Sequence, residues 1–291
     1  MPDVHGRQAF RPQPVGPHGR GPLQPADGNG KPLVGRPPTW RLVVDPPRPG
    51  AWNMALDEAL LEAVGSGESP PTLRFYGWDP PCLSLGAFQP VADINPGACA
   101  ELGIDLVRRP TGGRAVLHHH EVTYAVVLPR AAAGRPREAY LKICRAILRG
   151  LAGLGIRADF APAGSHRRAA GPSCFAAASD YEVLVGGRKL VGSAQVWRSG
   201  NLLQHGSVLL AADGALWARL MGWPEAAEGL VGLLEVDPGL SFERVAAALA
   251  GGFAAEFGVS LVPGGWRPAE LEHAAKLVWE KYGQPGWTER V

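Results

Sequence analysis

Apolar residues that recur every three or four positions predict four helices in this chain. In NMALDEALLEAVG, Leu56, Leu60 and Val64 fall on one face, with Asn53 as the predicted N-cap and Gly65 at the end. The other helices carry stripes formed by Tyr140, Ile143, Cys144, Ile147, Leu148 and Leu151, by Phe242, Val245, Leu249, Phe253 and Phe257 after the cap residue Ser241, and by Leu271, Ala274, Ala275, Val278 and Tyr282 near Ala269–Tyr282. Each stripe can bury one side of its helix against a core.

Short β-prone runs separate these helices, beginning with TWRLVV at Thr39–Val44 and including VTYAVVL. The stretch YEVLVGGRKLVGSAQVW indicates a hairpin, because a two-residue Gly-Gly loop favours a tight turn that places Leu184 opposite Lys189. Strands and helices follow each other without a regular βαβ alternation. This order favours an α/β (α+β) fold with a mixed β-sheet flanked by helices over a doubly wound sheet.

The composition of the chain changes after its first forty residues. Residues 1–38 contain nine prolines and seven glycines and show almost no apolar periodicity. Such a segment cannot bury enough surface to offset its ordering entropy, so it is predicted to be a disordered N-terminal extension. The rest of the chain suits one domain at residues 39–265, with a C-terminal helix within residues 266–291 that packs on this domain.

Composition and charge argue against several classes of partner. The 291 residues are 46% hydrophobic and 19% charged, which is enough apolar material for a sizeable core. A formal net charge of +2 without clustered basic runs argues against a nucleic-acid partner. No apolar run approaches the length of a membrane span, and the N-terminus lacks the apolar region of a secretory signal. Together with four scattered cysteines, these features predict a cytoplasmic protein without a membrane partner.

The four cysteines differ in their surroundings. Cys144 lies on an apolar helical stripe, Cys82 in a predicted strand and Cys99 on a short predicted helix, and core packing explains all three. Cys174 instead follows Gly-Pro-Ser in a loop, fifteen positions before Lys189. A thiol with an ordinary pKa of ~8.5 is mostly protonated at neutral pH, and a nearby ammonium would favour the thiolate. The pattern leaves open whether Cys174 is a small packed residue or a nucleophile activated by Lys189.

The stretch RRPTGGRAV matches neither a Walker loop nor a GxGxxG motif. Its paired glycines, Gly112 and Gly113, stand between Arg109 and Arg114 and would permit the backbone to approach a carbonyl or an anion closely. A plain hairpin turn explains the same residues equally well.

Histidines mark two of the other predicted strands. The run His118–His120 followed by Glu121 looks like a metal cluster, but neighbouring side chains of a strand point to opposite faces, so no metal site is predicted. His205, in LLQHGS, is expected to be a hydrogen-bonded residue at a strand end rather than a general base.

Several of these stretches together resemble the lipoate–biotin ligase superfamily. They are NMALDEALL, PTLRFYGWDPPCLSLGAFQ, RRPTGGRAVLH, SCF, GRKLVGSAQ and LQHGSVLL, spread from Thr39 to Leu210. The lysine signature GRKLVGSAQ marks the superfamily. The SCF cysteine upstream of it makes the chain most similar to the protein octanoyltransferases of the LipM type, since the cysteine follows the lysine in the other octanoyltransferase branch.

The resemblance implies the fold of a biotin/lipoate protein ligase catalytic domain for residues 39–265. It also implies transfer of an octanoyl group from octanoyl-acyl carrier protein to a lysine of the glycine cleavage H protein, with lipoyl domains as an alternative acceptor. On this mapping Cys174 carries the acyl thioester and Lys189 lowers its pKa. Because an acyl thioester is already activated, no ATP or other cofactor is expected.

The resemblance further implies which stretches line the acyl pocket. The substrate-binding residues expected on this basis are Arg109, Thr111, Gly112, Gly113, Arg114, His118, Gly192, Ser193, Ala194, His205, Gly206 and Ser207. The chain departs from the family pattern at His119, which stands where an Asp commonly follows the histidine of AVLH. Any role of that acid is therefore in question here.

Two other functions are compatible with the same scaffold. An ATP-dependent lipoate–protein ligase would use Lys189 to contact the adenylate, and Cys174 would be incidental. A non-catalytic module would hold acyl groups or carrier proteins without turnover.

Overall fold

The computed structural model describes residues 37–161, 182–222 and 229–291. Most of the predicted N-terminal extension (residues 1–36) and the candidate nucleophile Cys174 lie outside these ranges. Among the helices described, none is both long enough and apolar enough to cross a membrane.

The strands of the described residues form two sheets. They are β1 (Thr39–Val44), β2 (Thr72–Tyr76), β3 (Cys82–Leu85), β4 (Asp105–Arg108), β5 (Val116–His118), β6 (Glu121–Leu128), β7 (Asp159–Phe160), β8 (Val183–Val185), β9 (Arg188–Arg198), β10 (Asn201–Leu209) and β11 (Ser260–Pro263). The large sheet has the order β11-β1-β2-β6-β10-β9-β8-β7, and the small sheet the order β4-β3-β5. Strand β1 is parallel to β2 and β11, whereas the other pairs of the large sheet are antiparallel. The predicted mixed sheet is confirmed.

Helices flank the large sheet. They are α1 (Gly50–Gly65), α2 (Pro96–Glu101), α3 (Arg130–Ala133), α4 (Pro136–Gly153), α5 (Gly214–Met221), α6 (Leu233–Val236), α7 (Phe242–Phe257), α8 (Pro268–Leu277) and α9 (Pro285–Thr288), with a 3₁₀ turn at Val91–Asp93. Ser241 caps α7 as predicted, because its hydroxyl accepts the backbone N–H of Arg244. The last predicted helix ends at Leu277 and continues as a π-helical turn through Val278–Tyr282.

Helix α1 begins at Gly50, four residues before the Met54 that an Asn53 cap would give. Asn53 lies inside the helix, where its side-chain amide donates to the carbonyls of Arg48 and Gly77. The start of α1 is stabilised from a distance instead, since the backbone N–H of Gly50 donates to Asp105 Oδ2 over 3.1 Å. A carboxylate at this position also interacts favourably with the helix dipole. The prediction of an Asn53 cap was wrong, because Asn53 lies inside the helix and the carboxylate at the helix start belongs to Asp105 of β4.

The two faces of the large sheet pack against different helices. Helices α4 and α7 cover one face and contribute Ile147 and Phe253 to an apolar core that includes Tyr124 and Val126 of β6. Helix α1 covers the other face, with α8 packed beside it. Because side chains alternate along a strand, neighbouring residues of the same strand belong to these two different layers.

Candidate functional site

A cavity lies between the large sheet and the small sheet, and residues of both sheets line it. Its lining consists of Met54, Tyr76, Trp78, Ser84, Arg109, Val116, His118, Thr123, Gly192, Ser193, Ala194, His205, Gly206 and Ser207. Eight of the twelve residues expected to bind substrate are in this lining. The other four, Thr111, Gly112, Gly113 and Arg114, form a loop. Arg109 donates hydrogen bonds to the Thr111 hydroxyl and to the carbonyls of Gly112 and Arg114 in this loop.

The cavity exists because β9 and β10 carry small residues at its wall. Gly192 pairs with Ser207, and Ala194 pairs with His205. Gly206 is restricted as well, since a Cβ at this position would lie 2.5 Å from the carbonyl oxygen of Gly192. Larger side chains at these positions would fill the space or separate the strands.

His205 lies in the middle of β10 rather than at a strand end, and both of its ring nitrogens are hydrogen-bonded. Its Nδ1–H donates to Asp57 Oδ2 over 2.9 Å, and its Nε2 accepts the hydroxyl of Thr111 over 2.7 Å. Burial lowers the pKa of His205, although the hydrogen bond to Asp57 opposes this shift. The neutral imidazole therefore ties the Thr111 loop to α1.

Asp57 is fully buried and is the centre of a charged cluster that sequence analysis missed. Its carboxylate accepts hydrogen bonds from Arg74 Nη1 at 2.7 Å and from the Tyr76 hydroxyl at 2.9 Å. Burial alone would raise the pKa of Asp57, but Arg74 and His205 hold it below its ordinary value. A signal was present in NMALDEALL, where two acidic residues, Asp57 and Glu58, interrupt a largely apolar helical segment.

His118 forms a second buried imidazole–carboxylate pair. Its Nδ1–H donates to Glu121 Oε1 over 2.8 Å, and its Nε2 accepts the hydroxyl of Ser84 over 2.8 Å. The same carboxylate oxygen of Glu121 also accepts the hydroxyls of Thr123 and Ser207. This pairing fixes the orientation of the His118 ring, against which Trp78 stacks with ring centroids 3.9 Å apart.

These hydrogen bonds explain how a wall with many polar residues can accept an apolar ligand. The heteroatoms of Ser84, Thr123, His205 and Ser207 are engaged with other protein groups. Their carbon atoms are therefore the part that remains for contact with a ligand. A bound alkyl chain would leave none of these groups without a hydrogen-bond partner, so its binding would carry no desolvation penalty for them. The cavity therefore suits an unsubstituted hydrocarbon.

His119, the departure from the family pattern, belongs to a different surface. Together with Asp45 and Glu243, it lines a cleft that shares Trp78 with the cavity wall. Burial lowers the pKa of His119, with a smaller contribution from His120. The described residues contain no group of three or more His, Cys, Asp or Glu side chains suited to holding a metal ion.

Two adjacent arginines hold the loops at the cavity. Arg109 donates to the carbonyls of Gly112 and Arg114, which fixes the Thr-Gly-Gly loop. Arg108 is fully buried and donates to the carbonyls of Gly86 and Gln89 on the facing loop, and to that of Thr288.

The Thr-Gly-Gly loop and the loop after β3 touch through their glycines. A Cβ on Gly86 would overlap the carbonyl oxygen of Gly113. The absence of a Cβ on Gly86 thus permits the close approach of these two loops of the same chain.

Lys189 lies at the start of β9 and is bound by a residue that sequence analysis missed. As predicted, Lys189 stands opposite Leu184 in the hairpin. Val183 pairs with Val191, so Leu190 is an extra residue that alters the direction of the side chains along β9. The ammonium of Lys189 donates to Glu182 Oε1 over 2.5 Å, and both side chains are buried. Its position relative to Cys174 lies outside the described residues.

The three cysteines within the described residues are buried and unreactive in character. Burial raises the pKa of Cys82 and Cys99, and it raises the pKa of Cys144 to about 12. At neutral pH these thiols stay protonated and are poor nucleophiles. Their packing roles agree with the interpretation drawn from the sequence.

Comparison with known proteins gives consistent results. Residues 49–252 match the family described as the lipoyl protein ligase A/B catalytic domain. The octanoyltransferase LipM of Symbiobacterium thermophilum is 43% identical over 269 residues, covering 86% of this chain and 98% of that protein. The octanoyltransferase LipM of Kyrpidia tusciae is 43% identical over 272 residues, covering 87% and 99%.

Solved structures show the same fold at lower sequence identity. A lipoate-protein ligase A bound with ATP superposes with a TM-score of 0.75 at 22% identity, covering 86% of this chain and 98% of that one. The archaeal lipoate protein ligase described with its E2 lipoyl domain, from Thermoplasma acidophilum, gives 0.74 at 22% identity, covering 87% and 96%. The fold, the lysine hairpin and the match along the sequence agree, and the chain belongs to the lipoyl protein ligase A/B catalytic-domain family, among its octanoyltransferases of the LipM type.

Proposed function

We propose that this acyltransferase moves an octanoyl group from octanoyl-acyl carrier protein to a lysine of the glycine cleavage H protein, through a thioester on Cys174. The relatives named octanoyltransferase, at 43% identity over nearly their whole length, support the reaction class. The observation that carries the proposal is the cavity, whose polar side chains leave mainly carbon atoms for contact with a ligand. On β9 its lining begins at Gly192, three residues after Lys189. A cavity of this kind suits the alkyl chain of an acyl donor.

The chemistry divides into two halves that balance without ATP. In the first half, the Cys174 thiolate attacks the carbonyl carbon of the donor thioester and forms a new C–S bond. The donor C–S bond then breaks, and the carrier leaves as a thiolate that takes up a proton. Splitting the transfer in this way replaces one difficult step by two easier ones.

In the second half, the neutral amine of the acceptor lysine attacks the Cys174 thioester. The new C–N bond forms, the C–S bond to Cys174 breaks, and the thiolate is regenerated. The surplus proton of the amine passes to water, since Lys189 is already an ammonium. Lipoyl domains are a second acceptor class for this step, since an archaeal ligase of the same fold is described with its lipoyl domain.

Lys189 is proposed to act on the thiol through its charge. Its ammonium is buried, and a cation close to a thiol favours the thiolate because the two charges attract strongly in a poorly screened environment. Glu182 would keep this ammonium paired when the thiolate is consumed in the thioester, since an unpaired buried charge is costly. Glu182 thus holds Lys189 in place throughout the cycle.

Intact-mass measurement after mixing the protein with octanoyl-acyl carrier protein, without acceptor, tests the proposal. We expect the mass of one octanoyl group, located on the peptide that contains Cys174 and removed by hydroxylamine. Cys174→Ala should abolish the adduct and the transfer, whereas Cys144→Ala should retain both. Lys189→Ala should reduce the transfer strongly and move the pH midpoint of Cys174 alkylation upward. Transfer by Cys174→Ala at a near-normal rate would refute the thioester mechanism.

The same mixtures separate the two alternative functions. A ligase would need ATP with free octanoate or lipoate and would release pyrophosphate. A binding module would form a complex without any covalent adduct. Transfer from the carrier thioester in the absence of ATP excludes both.

A further inference from the structure

We propose that Ala194 sets the length of the alkyl chain that the cavity accepts, an inference that rests on the acyl transfer proposed above. The pairing of the strands at the cavity wall supports this inference. It places the two ends of the cavity relative to Lys189 and identifies which side chain stands at the far end.

Paired residues on the cavity side of the large sheet form rows that run across the strands. The first row consists of Gly192, Ser207, Thr123 and Tyr76. Every member of this row lines the cavity. All four strands of this row therefore contribute to the cavity wall.

The second row lies two residues further along each strand, a distance of about 6.6 Å. It consists of Ala194, His205, Ala125 and Arg74. Of these four described residues, Ala194 and His205 line the cavity, whereas Ala125 and Arg74 do not. Only β9 and β10 of these four strands therefore contribute to the wall at this row.

The third row closes the cavity. It consists of Val196, Leu203, Val127 and Thr72. None of these four described residues belongs to the lining, and Leu203 and Val127 are fully buried in the core beside α1. The end of the cavity thus lies just beyond the second row.

Lys189 gives the direction of a bound chain. It precedes Gly192 by three residues on β9, so it lies on the side of the first row that faces away from Ala194. An acyl group whose carbonyl is near Lys189 would extend past Gly192 with its tail toward Ala194 and His205. His205 is held by Asp57 and Thr111, so the methyl group of Ala194 is the element at this end whose size can change without breaking a hydrogen bond.

Transfer rates measured with butyryl-, hexanoyl-, octanoyl- and decanoyl-acyl carrier protein test this inference. In Ala194→Leu the longer side chain should occupy the far end, so kcat/KM for octanoyl should fall by about 100-fold while hexanoyl changes by only a few-fold, as one methylene in an apolar pocket is worth about 10- to 200-fold. Ala194→Gly should shift the preference the other way, with a gain for decanoyl relative to octanoyl.

Gln195→Leu is the matched control. Gln195 is the next residue on β9 and is similarly half-buried, but it points to the opposite face, where its amide donates to the carbonyl of Pro136 over 3.3 Å. The same leucine on this face should leave the order of preference among the four donors unchanged.

The outcomes separate this inference from the proposed function. A wild-type protein that forms no acyl-enzyme with any donor would refute acyl transfer itself. A wild-type protein that transfers octanoyl, combined with an Ala194→Leu variant that slows all four donors equally, would overturn only the role of Ala194. A shift caused equally by Gln195→Leu would overturn it as well. If Ala194→Leu does not fold, an unchanged preference in Ala194→Gly decides against the inference, and a shift toward decanoyl supports it.

Discussion

The two faces of the large sheet are built from the same strands but differ in chemistry. Toward α4 and α7, Phe75 and Tyr124 pack in an apolar core. Toward α1, their neighbours Arg74 and Thr123 carry a charged group and a hydroxyl, and they are buried as well. The alternation of side chains along β2 and β6 keeps these two environments apart.

The difference shows where specific contacts are required. An apolar layer needs the right volume, and it tolerates exchanges between hydrophobic residues of similar size. A buried polar layer needs a partner for every group, because each unpaired group retains its full desolvation penalty. The cavity lies on the polar face, so its shape depends on hydrogen bonds such as those of His205 and His118.

The largest effect is expected for Arg74→Met. This change leaves Asp57, which is fully buried, without its guanidinium partner, and breaking a buried ion pair in this way costs about 3–5 kcal/mol. Urea unfolding should show the loss, and it should exceed that of Phe75→Leu on the opposite face of β2. A loss of less than about 1 kcal/mol would mean that the polar face is not held by this cluster.

The pH dependence of stability should come from the polar face. The pKa of folded His205 is lowered, so below the ordinary histidine pKa of about 6.5 the unfolded chain binds a proton that the folded protein does not. Stability should therefore fall as the pH falls through this range. When the free energy of unfolding is measured with urea between pH 5 and 8, it should change less with pH in His205→Gln than in wild type.

A smaller effect is expected for Ile147→Val on the apolar face. Ile147 is fully buried on α4, and removal of one methylene at such a site costs about 0.5–1.5 kcal/mol. Thermal unfolding should record this loss, and octanoyl transfer at saturating donor should stay at the wild-type rate. A marked loss of transfer would show that the two faces are coupled.

The smallest effect is expected for the thiol of Cys144. Burial raises its pKa to about 12, so iodoacetamide at pH 8 should leave it unmodified in the folded protein. Peptide mapping should find the same for Cys82, whose pKa burial also raises. Cys174 should be labelled under the same conditions, and equal labelling of Cys144 would contradict its burial.

Local patterns of the sequence predict much of the fold. The apolar stripes locate α4 and α7, the Gly-Gly loop predicts the pairing of Leu184 with Lys189, and the order of elements predicts a mixed sheet. These features depend on residues close together in the chain. The candidate pocket residues came from the family resemblance, and eight of the twelve line one cavity.

The tertiary structure supplies the partners of these residues. Glu182 binds Lys189, Asp57 binds His205, and Asp105 stabilises the start of α1. The local pattern does not reveal the partners of these acids, although the apolar surroundings of Asp57 in NMALDEALL indicate that this acid is buried.

By itself, therefore, the sequence determined the element types, the hairpin register and the motifs of the family. Only the tertiary structure decided which charges are buried together and where the cavity ends. The physical reason is that an ion pair or a cavity wall depends on the packing of distant segments, and Asp57 and His205 are 148 residues apart in the chain.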